Sequence, residues 1–139
     1  MIRISKSIED TIGIGQRLAK GLRAGDVVAL MGDLGAGKTV LTKGIAKGLG
    51  VKNVRYVNSP TFVIIKEYKG RLPLYHFDIY RLNRSSMLDS ESYREYFYGD
   101  GVTVIEWADK IRSILPKKHI EVKLSVIGED KRKIEIKKK

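Results

Sequence analysis

The sequence predicts a three-layer α/β fold with a mixed, largely parallel central sheet and added β-hairpins, and three observations predict it. A short apolar run, Asp26-Val27-Val28-Ala29-Leu30-Met31, reads as a strand covered on both faces. It leads through the glycine-rich stretch Gly32-Asp33-Leu34-Gly35-Ala36-Gly37-Lys38-Thr39 into a helical pattern from Lys38 to Leu49. A second buried run, Val102-Thr103-Val104-Ile105, ends in Glu106-Trp107.

The glycine-rich stretch satisfies G-x-x-x-x-G-K-[ST] without a mismatch. Glycines at 32, 35 and 37 allow positive φ, so that successive N–H groups converge into a nest for anionic oxygens. Lys38 adds a point charge for the β- and γ-phosphates, and Thr39 offers a hydroxyl to the Mg²⁺ of a nucleoside triphosphate. The motif needs a strand before it and a helix N-terminus aimed at the anion after it, and both are present. Leu41, Ile45 and Leu49 repeat at i, i+4 and i+8, and Gly50 is a natural residue just past the helix end. The arrangement is that of a P-loop NTPase-like fold, and the absence of an N-K-x-D-like guanine reader leans toward ATP.

Length and composition bound the rest. At 139 residues the chain fits one domain, residues 1–139, with a basic tail over about 131–139. It has no cysteine, which removes disulfides, thiolate metal sites and a cysteine nucleophile. No apolar run approaches the ~20 residues that span a bilayer, and Met1-Ile2-Arg3-Ile4-Ser5-Lys6 lacks a secretory core. A cytoplasmic protein without membrane contact is the expectation. Lys and Arg number 27 against 16 Asp and Glu, a net charge of +11. That excess suits a polyanion, RNA or DNA first, and equally a solvated lysine-rich surface, because the basic residues are scattered except at 117–118, 131–133 and 137–139.

In chain order, Ile2 and Ile4 alternate with Arg3 and Ser5 as in a short edge strand. Ser7 is an N-cap with Asp10 three residues on, an imperfect capping box. The helix that follows shows Ile8, Ile12, Gly15, Leu18, Ala19 and Leu22 on one face, and Gly21 with Ala24-Gly25 ends it. Thr11 reads as a surface or capping residue that can also reach a nucleotide base. After the phosphate loop and its helix, Val54-Arg55-Tyr56-Val57 is a short strand candidate before the turn Asn58-Ser59-Pro60. Thr61 then stands in a loop where it fits a sensor of γ-phosphate and Mg²⁺, although an ordinary Asn-Ser-Pro turn accounts for it locally.

Two runs, Phe62 to Tyr68 and Leu72 to Tyr80, flank Lys69-Gly70-Arg71 as a hairpin. Alternation puts Tyr75, Phe77 and Ile79 on one face and His76, Asp78 and Tyr80 on the other. Asp78 fits a carboxylate that orders Mg²⁺ or water, or a surface partner of Arg81. Ser85 to Phe97 has helical spacing, broken by Gly99-Asp100-Gly101. The strand ending at Glu106 then supplies the acidic residue that a P-loop ATPase places beside the phosphates, where it holds Mg²⁺ through water or polarises the attacking water. A cap for the next helix is the alternative role for Glu106. That helix runs from Ala108 to about Leu115 before Pro116, and a hairpin closes the chain, with Ile120, Val122, Leu124 and Val126 answered by Ile134 and Ile136 across Gly128-Glu129-Asp130.

Taken together, the phosphate loop, Ser59-Pro60-Thr61-Phe62, His76-Phe77-Asp78-Ile79-Tyr80-Arg81-Leu82 and Glu106-Trp107 resemble the ordered signatures of the TsaE (YjeE) family. The resemblance runs from about Ser7 to Trp107, with Ala108 in place of the usual proline and Ser92 in place of the usual glycine. It implies a small bacterial ATPase that acts with TsaB and TsaD in tRNA threonylcarbamoyladenosine synthesis, hydrolysis driving or resetting the complex without performing the transfer. Carried over by position, Lys38 and Thr39 bind phosphate and Mg²⁺, Thr61 and Asp78 lie near the γ-phosphate, and Glu106 is the Mg²⁺-associated, water-activating carboxylate. Thr11, Trp107 and Arg132 are candidates for base or ribose contact. Two other classes fit the bare phosphate loop: a small-molecule kinase, against which the chain shows no arginine-rich lid, and a nucleotide-gated binding module with negligible hydrolysis. Since no arginine finger is evident, slow intrinsic turnover completed by a partner is the expectation.

Overall fold

The computed structural model describes residues 1–33, 35–52, 65–79 and 93–139. The elements are β1 (Ile2–Ser5), α1 (Ile8–Lys20), β2 (Val27–Met31), α2 (Lys38–Gly48), β3 (Ile65–Tyr68), β4 (Leu74–Asp78), α3 (Tyr93–Phe97), β5 (Val102–Glu106), a 3₁₀ segment (Ala108–Ile114), β6 (Ile120–Val126) and β7 (Arg132–Lys138). The described strands join one sheet in the order β1-β7-β6-β2-β5-β4-β3. The sheet is mixed as expected. Its four central strands, β6, β2, β5 and β4, run parallel, and antiparallel pairing builds both margins, through the β3–β4 and β6–β7 hairpins and the pairing of β1 with β7.

Alternation along β2 divides the core into two layers. Val28 and Leu30 face a cluster with Leu41 and Ile45 of α2, Ile14 and Ala19 of α1, and Val104 and Val122. Val27, Ala29 and Met31 face the opposite cluster with Phe77, Phe97, Ile105 and Ile111. Each of the five β2 residues is buried, because helical layers cover both sides of a central parallel strand. Tyr75, Phe77 and Ile79 pack on the α3 side as their alternation predicts, with Phe77 stacked at a tilt on Phe97 at 5.7 Å.

Three local expectations change. In α1 the buried positions are Thr11, Ile14, Gly15 and Ala19, whereas Ile8 is 63 % exposed. Ile8 opens the helix beside its cap, before the chain has turned onto the sheet. Ser7 does cap, accepting from the Asp10 N–H at 3.0 Å, but the Asp10 carboxylate accepts from the Lys6 N–H at 2.9 Å rather than from Ser7 itself. The segment expected as a helix from Ala108 to about Leu115 is 3₁₀ and kinked at Ile111. It follows a left-handed Trp107 and has no side-chain cap, so it closes short turns such as Lys110 N–H to Trp107 C=O at 3.1 Å. The candidate strand at 54–57 and the start of the predicted helix after Ser85 lie outside the described residues.

Candidate functional site

The phosphate loop sits at the C-terminal end of β2, with β6 on one side and β5 on the other. Gly32 must be glycine on two counts: its φ is +153°, and a Cβ there would lie 2.6 Å from the Leu124 carbonyl oxygen of β6. Gly37, at φ +101°, is the N-cap of α2 and brings no capping side chain, so the first-turn N–H groups meet no side-chain acceptor from it. Ala36 is buried and its N–H closes the loop onto the Asp33 carbonyl at 3.0 Å, while Asp33 and Gly35 are exposed. Leu34 and Thr61 lie outside the described residues.

Lys38 is 5 % exposed, and its ammonium donates to the carbonyls of Gly32 at 2.6 Å and Asp33 at 2.9 Å. The same nitrogen lies 3.9 Å from the centre of the Trp107 ring. Burial pushes the Lys38 ammonium below the ordinary lysine value, and the carboxylates of Glu106, Asp109, Asp33 and Asp78 oppose that shift. Trp107 holds φ +62°, a left-handed conformation that costs a bulky residue roughly 1–3 kcal/mol. This twist, invisible in the sequence, turns the indole out of the strand and toward Lys38.

Glu106 ends β5 and is 2 % exposed. The Thr39 hydroxyl donates to both its oxygens, at 3.1 Å and 3.3 Å, so the two predicted metal-site residues meet although 67 positions apart in sequence. Parallel pairing of β4 with β5 places Asp78 opposite Glu106 and His76 opposite Val104, on the α2 side of the sheet. The His76 ring then reaches Glu106, Nε2 to Oε2 at 2.5 Å, and is itself fully buried. Sequence reasoning assigned no role to His76. Its signals were alternation with Asp78 and a place in the segment His76 to Leu82 that carries the resemblance, and the pairing of β4 with β5 was needed to give them a role.

The remaining candidates separate. Arg132, at the start of β7, donates to the Gly35 carbonyl at 3.3 Å as well as to the carbonyls of Gly128, Glu129 and Lys131, so the last hairpin does reach the phosphate loop. Thr11, read as a surface or capping residue, is instead 3 % exposed, with its hydroxyl 2.6 Å from that of Ser5. It ties the start of α1 to β1. Chemically, the assembled arrangement offers backbone amides and an ammonium for an anion, with a hydroxyl and a carboxylate beside them as hard oxygen ligands.

A family model described as threonylcarbamoyl adenosine biosynthesis protein TsaE matches residues 5–134. The chain belongs to the TsaE family. A TsaE of Bacillus subtilis is 48 % identical over 127 residues, which cover 91 % of this chain and 78 % of the relative. A TsaE of Treponema pallidum is 40 % identical over 133 residues, covering 96 % of this chain and 97 % of the relative. The crystal structure of YdiB from Bacillus subtilis superposes with a TM-score of 0.78 at 39 % identity, covering 96 % of this chain and 82 % of that one. Among the described residues no helix is long and apolar enough to cross a membrane.

Proposed function

We propose that this TsaE-family chain binds and hydrolyses Mg-ATP and thereby supports threonylcarbamoyl transfer to a tRNA adenosine by a TsaB–TsaD complex in the cytoplasm. The observation that carries the reading is the convergence of Thr39, from the start of α2, with Glu106, from the end of β5, beside the open phosphate loop. The place in tRNA modification rests on the names of relatives that match most of the chain.

The residues fit the implied ligands. Positive-φ glycines shape a concave run of amides, and Lys38 already sits on loop carbonyls from which its ammonium can swing to phosphate oxygens. Among the described residues no cluster of three or more His, Asp or Glu could cage an ion. Mg²⁺ takes one or two protein ligands and completes its shell with phosphate and water. Thr39 and Glu106 would hold it. When bound, Mg²⁺ neutralises charge on the phosphoryl oxygens. Lys38 and the loop amides stabilise charge that spreads over the transferring phosphoryl group, and Glu106 orients water. Asp78, in register with Glu106, adds negative potential at the same strand ends. Trp107 and Arg132 flank the loop on opposite sides, where a base or ribose contact would be made.

The test is phosphate release from Mg-ATP by the chain alone and then with purified TsaB, TsaD and tRNA. Stimulation that vanishes in Glu106→Gln supports the reading. Equal rates with and without the partners remove the partner-completed ATPase.

A further inference from the structure

The buried pair formed by His76 and Glu106 contains more than a site carboxylate needs in order to exist. Both side chains are all but inaccessible, at 0 % and 3 %. Thr39 lies on the α2 side of Glu106 and donates more closely to Oε1, whereas the imidazole meets Oε2 from the neighbouring strand.

We propose that His76 is the positioning residue for Glu106: its imidazole, protonated on Nε2, donates to Oε2 and locks the carboxylate so that Oε1 faces Thr39 and the phosphate loop. The tautomer follows from the partners. An ionised carboxylate only accepts, so the proton of this bond belongs to Nε2. Nδ1 is buried and has no hydrogen-bond partner among the described residues. The backbone enforces the meeting, since β4 and β5 pair in parallel with His76 opposite Val104, two residues before Glu106. A residue that orients a metal-associated carboxylate from behind typically changes affinity or turnover by roughly tenfold to a hundredfold without touching the ligand.

This inference rests on the Mg-ATP reading, and its experiment separates the two. The chain has two histidines, and they provide an internal comparison in the ligand-free protein. His119 Nδ1 lies 2.7 Å from the Pro116 carbonyl, which can only accept, so His119 carries its proton on Nδ1. Long-range ¹H–¹⁵N spectra at mildly alkaline pH are therefore expected to show opposite tautomers, Nε2–H for His76 and Nδ1–H for His119. An Nδ1–H tautomer at His76 overturns the proposal outright.

The second arm uses Trp107, the single tryptophan, as a fluorescent reporter of nucleotide. ATP is titrated into the parent, His76→Leu and His76→Gln, first with EDTA and then with Mn²⁺. His76→Leu is expected to keep the parent's metal-free affinity and to lose roughly tenfold or more of the gain from Mn²⁺. His76→Gln, which can present an amide N–H near the position of Nε2, is expected to recover most of that gain. Parent-like metal dependence in His76→Leu overturns the positioning role, as does equal loss in both variants with and without metal, which marks His76 as core filling. A parent chain that binds no ATP at all overturns the nucleotide reading instead.

Discussion

Lys38 carries opposed demands at a single atom. The proposed function needs its charge for phosphate, yet its ammonium is buried on two loop carbonyls and an indole face. Burial lowers its pKa, so the folded state holds the charged form less favourably than the unfolded chain does. The resulting penalty is present at neutral pH and fades as pH rises from the lowered value toward 10.5. Lys38→Met is thus expected to abolish ATP binding, followed by Trp107 fluorescence, while leaving the melting temperature at neutral pH equal to the parent's or above it. In the parent, ATP affinity should weaken with rising pH before 10.5, as Lys38 loses its proton. A second residue offers an independent titration. The Tyr75 hydroxyl donates to Asp100 at 2.8 Å, and that hydrogen bond pushes its pKa up to about 12. Here the folded state favours the protonated form, so the contribution is complete below pH 10 and is lost as pH rises toward 12. Ultraviolet titration should show the Tyr75 phenol titrating late, and Asp100→Asn should bring it back toward 10.

At the scale of elements, α1 and α2 are joined through glycines that serve neither turn nor cap. A Cβ on Gly15 would lie 2.6 Å from the Leu41 carbonyl oxygen, one on Gly48 would lie 2.5 Å from the Ala19 methyl, and one on Gly44 would overlap the Ile12 carbonyl. Each mid-helix glycine costs about 0.5–1 kcal/mol against alanine, so their presence in α2 is explained by the close approach of the backbones. Gly44→Ala is expected to destabilise by about 1–3 kcal/mol despite its better helix propensity, measured by urea unfolding. Because α2 begins at Lys38, that packing also sets where the glycine-rich turn before it points. Helix periodicity found the face of α1 near Gly15 and Ala19, but it assigned Ile8 to the core, because periodicity carries no information on where a neighbouring helix ends. The segment after Trp107 shows the same limit: the apolar spacing was visible, and the left-handed residue that forces 3₁₀ turns was not.

On the scale of the whole molecule, one sheet frames the described residues of the site around the loop and the start of α2. β2 delivers the loop, β5 delivers Glu106 and Trp107, β4 delivers His76 and Asp78, and β7 delivers Arg132 to Gly35. A ligand that binds only this folded arrangement stabilises all of it, by about 2.7 kcal/mol at a hundredfold excess over Kd. Mg-ATP should therefore raise the melting temperature by several degrees in a single cooperative transition, and Lys38→Met should show no such rise. Two separate transitions would contradict the shared sheet.

The phosphate loop, its strand and helix, the acidic end of β5 and both hairpins were legible in the amino-acid sequence, because local rules govern them: glycines where φ is positive, alternation where a strand is half-buried, continuous apolar runs where it is covered twice. Family membership was equally legible, since ordered motifs at fixed spacing do not depend on knowing the contacts. Only the tertiary structure decided which of those residues meet. Thr39 finds Glu106, His76 stands behind it, Trp107 folds onto Lys38 and Thr11 is given to Ser5, each pair brought together by strand order or by one backbone twist. Such pairings depend on non-local register, and a linear pattern with period two or 3.6 specifies which face a side chain takes without specifying which neighbour it finds there.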